Sequence, residues 1–321
     1  IPAYNAERVL DGCLKSIRDS VGVESYELLV VDDGSTDRTH DIASKYADRV
    51  LKHQNNKGLR AGRETLRTSA EGEIIVFMDA DVEIPNGFLK CVGDYFKENP
   101  TVDVMAAIVS LETPATNFLS RYKNAYVHYV YQVSPEDSSA IWGGCFAIRR
   151  EKALPFDEYR GYWAEDTAYA HYLKSNGRKI HLAKEAQVIH YHKYDMRDLL
   201  MHDFKLSFAW TEIFIQYSGF NQMSANLGSF SNAPRRLILA VLLAPLTVLT
   251  LFISTWLAVA ILLIWFWLNF PFFYFLLNKF SWIFTIKSFF VTWVDHIIRG
   301  LGIASGLTLH IFIRKNFRNE A

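Results

Sequence analysis

Between Leu237 and Asn278 the chain carries no Asp, Glu, Lys or Arg, a run of 42 residues in a sequence of 321. As one straight helix that run would reach ~63 Å, about twice the ~30 Å hydrocarbon core of a bilayer. It also far exceeds the ~10 to 14 residues of an apolar helix buried in a soluble core. Two helices of ~20 residues, folded back near Ser254 and Thr255, fit it, so the sequence predicts a transmembrane helical hairpin over residues 237–278. Arg235 and Arg236 precede the hairpin, and Arg314, Lys315 and Arg318 follow the last apolar stretch. Basic residues stay on the cytoplasmic side, which requires an even number of crossings and predicts a multi-pass protein of the cell (inner) membrane with its soluble part in the cytoplasm. Residues 279–321 are apolar at Trp282, Phe289, Phe290 and Trp293 but interrupted by Lys287, Asp295, His296 and Arg299. They read as an amphipathic helix lying in the interface or as a third membrane segment, followed by a basic tail. Residues 211–236, rich in Gly, Ser and Asn from Ser218 to Pro234, read as an interfacial connector.

The charge balance, 34 basic against 34 acidic residues, conceals this division into a soluble and a lipid-soluble half. It offers no basic stripe to neutralise phosphates, so no nucleic-acid partner is expected. Cys13, Cys91 and Cys145 form no CxxC pair, which disfavours a disulfide framework or a zinc site. The first residues, Ile1 to Asn5, lack both Met and the pattern of a signal peptide and read as a start inside a first strand. In the soluble half, short apolar runs alternate with helical periodicity. Val9, Leu10, Cys13, Leu14 and Ile17 share a helix face, and Tyr26 to Val31 is a buried strand. Ile74 to Met78 and Val102 to Val109 are further strands, separated by a helix with Phe88, Leu89, Val92, Tyr95 and Phe96 on one face. Strand-helix alternation predicts an α/β fold, a parallel sheet covered by helices with its ligand at the carboxyl ends of the strands.

Acidic clusters sit at two of those ends. VDDGSTD, Val31 to Asp37, either closes a loop and caps the next helix or accepts hydrogen bonds from a base or ribose. Asp79-Ala80-Asp81 follows the strand Ile74 to Met78. Residues two apart in an extended strand point to one side, and two carboxylates there need a cation, such as a divalent ion bridging a diphosphate. Arg63 is either a bidentate diphosphate clamp or a solvated helix charge. Gly143-Gly144 marks a close approach of backbone to ligand or a tight turn. Glu165-Asp166 opens a helix; such acids complement the helix dipole, or in a cleft one takes a proton from an attacking hydroxyl.

The order of motifs, PAYNAE, VDDGSTD, NKGLRAGRE, MDADVEIP, GGCFAIRR and AEDTAYAHYLKSNGRKI followed by an apolar hairpin, resembles glycosyltransferase family 2 over about Ile1 to Trp210. The resemblance implies a GT-A fold, Rossmann-like, with a mostly parallel sheet and helices on both faces, as a catalytic domain over residues 1–210. It implies an inverting transfer from a nucleotide diphosphate sugar to a lipid-linked or saccharide acceptor, with Mg2+ or Mn2+. Asp32 or Asp33 and the Tyr4-Asn5 loop would hold the base, with Pro2 also on the donor side, Asp79 would hold the ribose, Asp81 the metal with the diphosphate, and Asp166 would be the catalytic base. His190 matches a position that supplies a further metal ligand in some members, Arg63 would steady the leaving diphosphate, and Gly143, Gly144 and Glu165 would lie on the acceptor side. The motif Q-x-x-R-W of processive members is replaced by Leu206-Ser207-Phe208-Ala209-Trp210. That disfavours a channel-forming polysaccharide synthase; a membrane-anchored binding protein without turnover is the other alternative, disfavoured by the presence of both Asp81 and Asp166.

Overall fold

The computed structural model describes residues 1–22, 25–156, 163–218 and 234–311. In chain order its elements are β1 (Pro2–Ala3), α1 (Leu10–Arg18), β2 (Leu29–Asp32), α2 (Thr39–Tyr46), β3 (Arg49–Lys52), α3 (Leu59–Ser69), β4 (Ile74–Met78), β5 (Val82–Glu83), α4 (Phe88–Glu98), β6 (Val104–Val109), α5 (Phe118–Val133), β7 (Cys145–Arg149), α6 (Glu165–Ser175) and β8 (Ile180–His190). Four further helices follow: α7 (Met196–Ser218), α8 (Arg235–Leu251), α9 (Thr255–Lys279) and α10 (Trp282–Leu309). They form two compact units, residues 1–115 with 135–192 and residues 116–134 with 193–321.

In the α/β unit, β1, β2 and β3 form a parallel sheet in which Val31 sits opposite Pro2 and Leu29 opposite Arg49. The helix face formed by Leu10, Cys13, Leu14 and Ile17 is buried, as its spacing predicts. All six residues of β6 are buried too, the signature of a strand covered on both faces. A second sheet runs β4-β7-β6-β8-β5. The mostly parallel arrangement expected from the sequence does not extend to it, because β7 lies antiparallel between β4 and β6, and β5 is antiparallel to β8. A parallel return needs a crossover helix packed on the same sheet. The helix between β6 and β7 is α5, which belongs to the other unit, so no such crossover joins these strands. Phe77 of β4 stacks on Phe146 of β7 at 5.0 Å and meets Phe156 edge-on at 5.4 Å. Truncating such a core ring to alanine typically costs about 3 to 5 kcal/mol.

The helical unit takes α5 from inside the stretch expected to be catalytic, and the expected boundary at residue 210 falls within α7. Tyr126 and Tyr129 of α5 pack around Phe272 of α9 at 5.3 and 5.1 Å, which explains why an aromatic-rich helix leaves the sheet. The chain does fold back where expected: α8 ends at Leu251, and Ser254 caps α9 by accepting a hydrogen bond from the Leu257 amide at 3.4 Å. The two helices are unequal, however. At 1.5 Å per residue the 17 residues of α8 reach ~26 Å, short of the bilayer core, and the 25 of α9 reach ~38 Å. Among the described residues α9 alone is long and apolar enough to cross a membrane, so the expected hairpin of two equal spans reduces to one candidate span. Most of the expected connector, residues 219–233, and the basic tail from residue 312 lie outside the described residues.

The helical unit is inverted in polarity. Phe252, Trp256, Trp267 and Trp282 are exposed, while Lys123, Asp203, Asp295, His296 and Arg299 are buried. Arg299 joins Asp295 and Asp203, each at 2.8 Å, Lys123 pairs with Asp203, and Trp265 donates to His296 at 3.2 Å. Of the charged and polar residues that interrupt this apolar segment, Asp295, His296 and Arg299 therefore face inward, whereas Lys287 is exposed. Gly302 and Gly306 let α10 approach the backbone of α7 closely; a Cβ at Gly302 would lie 2.5 Å from the Phe204 carbonyl.

Candidate active site

The segment after β4 does not continue as a strand. The Val82 amide donates to the Asp79 carbonyl at 3.2 Å, so Asp79-Ala80-Asp81 forms a turn, and its two carboxylates part company. Asp79 Oδ1 accepts from Arg63 Nη2 at 2.9 Å. Asp81 is turned toward β8 by the antiparallel pairing of Val82 with His190 and by the Tyr191 amide, which donates to the Asp81 carbonyl at 2.8 Å. Its Oδ2 lies 3.3 Å from His190 Nε2 and 3.8 Å from His192 Nδ1. Burial would raise the Asp81 carboxyl, but hydrogen bonds and charge from His190 and His192 outweigh it and hold it well below the usual carboxylate range. The Asp79 carboxyl is raised, by burial first, with Arg63 opposing.

Asp81, His190 and His192 each offer one ligand atom, all within 4.8 Å of one another. One carboxylate oxygen and two imidazole nitrogens fit a divalent transition ion; Mg2+ favours an all-oxygen shell. His192 is absent from the expected ligand set. Its signal was the spacing His190-Tyr191-His192, since alternate residues of an extended chain share a side, while Tyr191 bonds Glu83 at 2.9 Å.

At the end of β2 the two adjacent acids take separate roles. Asp33 is consumed by the fold: His53 Nδ1 lies 2.6 Å from its Oδ1, and the amides of Lys57 and Gly58 donate to it at 2.9 and 2.8 Å. These bonds shape the loop leading into α3. Asp32 is fully buried and accepts from the Ser35 amide through Oδ1 at 2.9 Å. Its Oδ2 has no hydrogen bond among the described residues; His40 Nδ1 stands 3.3 Å and Lys52 Nζ 3.9 Å away. Asn5, at φ 47°, accepts from the Thr36 amide at 2.9 Å and donates its own amide to Ser35 Oγ at 3.1 Å. The Tyr4-Asn5 loop is thereby tied to the loop after Asp32, and Tyr4 remains half exposed. Pro2 stands apart from this rim. It is buried in β1 and lies against Gly62 of α3, where it packs the first strand on that helix.

Arg63 also departs from expectation. It is 2% exposed, and its Nη2 donates both to Asp79 and to the Gly143 carbonyl at 2.8 Å, a buried tie rather than an open clamp on a diphosphate. The adjacent Glu64 holds Arg67 and the Phe156 amide. The Gly143 amide donates to Asp166 Oδ2 at 2.9 Å, and the Thr167 amide to Asp166 Oδ1 at 2.7 Å. Ala164, at φ 58°, turns the chain into α6, a left-handed conformation that costs an L-residue about 1 to 2 kcal/mol. Glu165 has a buried Oε2 with no hydrogen bond among the described residues. Burial raises its carboxyl, with Arg63 and Arg60 opposing. At Gly144 a Cβ would strike the Trp142 ring at 2.4 Å, so this glycine makes room for an indole of the chain itself. Trp142 in turn packs edge-on against His190 at 5.5 Å.

Residues 1–154 match the model of Glycosyl transferase family 2. The chain is 27% identical over 235 residues to glycosyltransferase GlyA of Streptococcus pneumoniae, covering 66% of this chain and 31% of that one. It is 35% identical over 89 residues to dolichol-phosphate mannosyltransferase of Pyrococcus furiosus, covering 26% and 25%. The chain spans less than half the length of the curated relatives it matches. Among solved structures, mannosyltransferase PcManGT from Pyrobaculum calidifontis in complex with GDP-Man and Mn2+ is similar with a TM-score of 0.59 at 15% identity, covering 94% of this chain and 85% of that one. That likeness is one of fold.

Proposed function

We propose, from the premise that residues 1–154 are a glycosyl transferase family 2 domain, that this chain transfers a sugar from a nucleotide diphosphate donor to a lipid-linked or saccharide acceptor with inversion at the anomeric carbon. The observation that carries the reading is the convergence of Asp81, His190 and His192 on one point beside the carboxyl end of β4. Those three residues would hold Mn2+ in preference to Mg2+, given the two imidazoles. When bound, the ion supplies positive charge against the leaving diphosphate. Asp32, with a buried acceptor oxygen, receives an N–H of the nucleotide base. Asp79 faces the ribose hydroxyls from the Arg63 tie. Asp166 accepts the proton of the acceptor hydroxyl; its two backbone bonds aim the carboxylate and leave lone pairs for that proton.

The inverted helical unit supports a membrane setting. Buried charge beneath exposed Trp, Phe, Leu and Ile is the arrangement hydrocarbon favours and water opposes. With Arg235 and Arg236 ahead of the apolar helices, the cytoplasmic face of the cell membrane is the proposed location. An acceptor dissolved in the same bilayer, a lipid-linked one, follows.

The test is titration of purified protein with UDP, GDP and dTDP sugars in Mn2+, Mg2+ or chelator, followed by transfer assays with lipid-linked and free saccharide acceptors. At least one donor should bind with Mn2+ dependence and be turned over. Binding of every donor equally well in chelator would refute the metal role, and Mn2+-dependent binding without transfer to any acceptor would refute the enzyme.

A further inference from the structure

Three polar groups of the Gly143-Gly144 pair each bond a different element. The Gly144 carbonyl accepts from the Asp79 amide at 3.0 Å, at the end of β4. The Gly143 carbonyl accepts from Arg63 Nη2 at 2.8 Å, from α3. The Gly143 amide donates to Asp166 Oδ2 at 2.9 Å, at the start of α6. Arg63 closes the circuit by bonding Asp79 Oδ1 through the same nitrogen. The space is filled as closely as the bonds are drawn: a Cβ at Gly143 would lie 3.0 Å from Asp166 Cβ, 3.1 Å from Asp166 Oδ2 and 3.3 Å from Arg63 Nη2.

We infer that Arg63 and Gly143 are positioning residues that transmit the placement of Asp79 on the donor side to Asp166 on the acceptor side. The inference rests on the transferase reading above and adds a role for two residues to which that reading assigns no contact with donor or acceptor. Interiors packed this tightly pass on small displacements rather than absorbing them. A donor that draws Asp79 toward its ribose moves the Arg63 guanidinium, and with it the Gly143 peptide groups that aim the Asp166 carboxylate. Arg63 suits the task because its planar head, 2% exposed, has no alternative rotamer in water to relax into. Its Nε has no hydrogen bond among the described residues, so the side chain is anchored through the one nitrogen that joins both sides.

The experiment is a double-mutant cycle on the full chain in detergent, measuring kcat at saturating donor and Mn2+ together with donor affinity. Arg63→Lys keeps the charge but not the geometry, and in the otherwise unaltered chain it should lower kcat ~10-fold, the scale of a catalytic group misplaced by a fraction of an ångström. In the Asp166→Asn background the same change should lower kcat by less than ~2-fold, because a residue acting through Asp166 has nothing left to act on. Gly143→Ala gives an independent arm. The added methyl presses on Asp166, so kcat should fall ~10-fold while donor affinity stays within ~3-fold. Equal losses in both backgrounds would overturn the inference, as would a Gly143→Ala chain of unchanged kcat. If Arg63→Lys fails to fold, by its melting transition, the Gly143→Ala arm decides. An unaltered chain that transfers no sugar removes the transferase reading itself, whereas additive losses in an active enzyme remove only the relay.

Discussion

Two clusters of acids, one in each unit, differ in the partners they face. Asp203 and Asp295 in the helical unit are paired with permanent cations, Lys123 and Arg299, with His202 Nδ1 a further 2.9 Å neighbour of Asp203, although Asp295 Oδ1 has no hydrogen bond among the described residues. In the α/β unit, Asp81 faces two imidazoles that are ligands as readily as partners, and Asp32 and Glu165 each keep a buried oxygen with no hydrogen bond among the described residues. A buried polar atom without a partner costs about 1 to 3 kcal/mol; a guanidinium on the other oxygen, as Arg299 supplies to Asp295 Oδ2, offsets more of that cost than a neutral backbone amide, as at Asp32. Pairing with permanent cations marks an architectural cluster, and acids that face imidazoles and backbone amides mark a binding site.

The sharpest break of that comparison is Asp203→Asn. Removing one charge from a buried set of pairs strands its cations, with an expected cost of about 3 to 5 kcal/mol. The melting transition of the full chain in detergent should fall steeply, while molecules still folded bind donor and Mn2+ as before. A stable Asp203→Asn chain with weakened donor binding would reverse the assignment and make the helical cluster the functional one.

In the α/β unit the corresponding change is His192→Ala, which should lower Mn2+ affinity ~10- to 100-fold, about 1.4 to 2.7 kcal/mol, with little change in stability. His190→Ala and Asp81→Asn should do the same, and calorimetric titration of Mn2+ in the presence of a donor reads all three. Unchanged Mn2+ affinity in the His192 variant would return the ligand set to Asp81 and His190 alone.

His192 also shows where sequence reading stops. The strand Ile74 to Met78, the helix face of Leu10 to Ile17 and the fold-back at Ser254 are legible because each is a local pattern: a period, a run or a cap. The convergence of Asp81 on His190 and His192 depends on Val82 pairing with His190, far away in the chain, and no local period reports that register. The antiparallel entry of β7 and the transfer of α5 to the helical unit were hidden for the same reason. In α10 the periodic polar face was legible but its direction was not. Lys287, Asp295, His296 and Arg299 fix an amphipathic helix, and only the surrounding solvent decides whether charge points outward, as in water, or inward, as for Asp295, His296 and Arg299 here. Arg63 misled in another way, because a guanidinium on a helix can pair with substrate or with Asp79, and only packing distinguishes the two.

The smallest expected effect, Glu165→Gln, tests the comparison at a single side chain. Glu165 and Asp166 are neighbours in the first turn of α6, yet Asp166 is held by the Gly143 and Thr167 amides while Glu165 Oε2 has no hydrogen bond among the described residues. Burial raises the Glu165 carboxyl, Arg63 and Arg60 oppose, and Asp166 and Asp79 add to the rise. The folded chain therefore holds this proton more tightly than the unfolded chain does. The resulting stability is fully present below the unfolded value, ~4.3, and is lost as pH rises through the raised folded value. At neutral pH the ionised Glu165 is then a burden on the fold, one that a neutral amide of the same shape lacks. Glu165→Gln should raise the melting temperature at pH 7.5, and the gain should vanish below about pH 4, where the unaltered side chain is protonated in both states. Transfer should stay within ~3-fold, since Asp166 is the proposed base. A lower melting temperature at pH 7.5 would show Glu165 to be a charge the fold needs, paired with Arg60 or Arg63. A stable Glu165→Gln chain without transfer would move the catalytic base from Asp166 to Glu165.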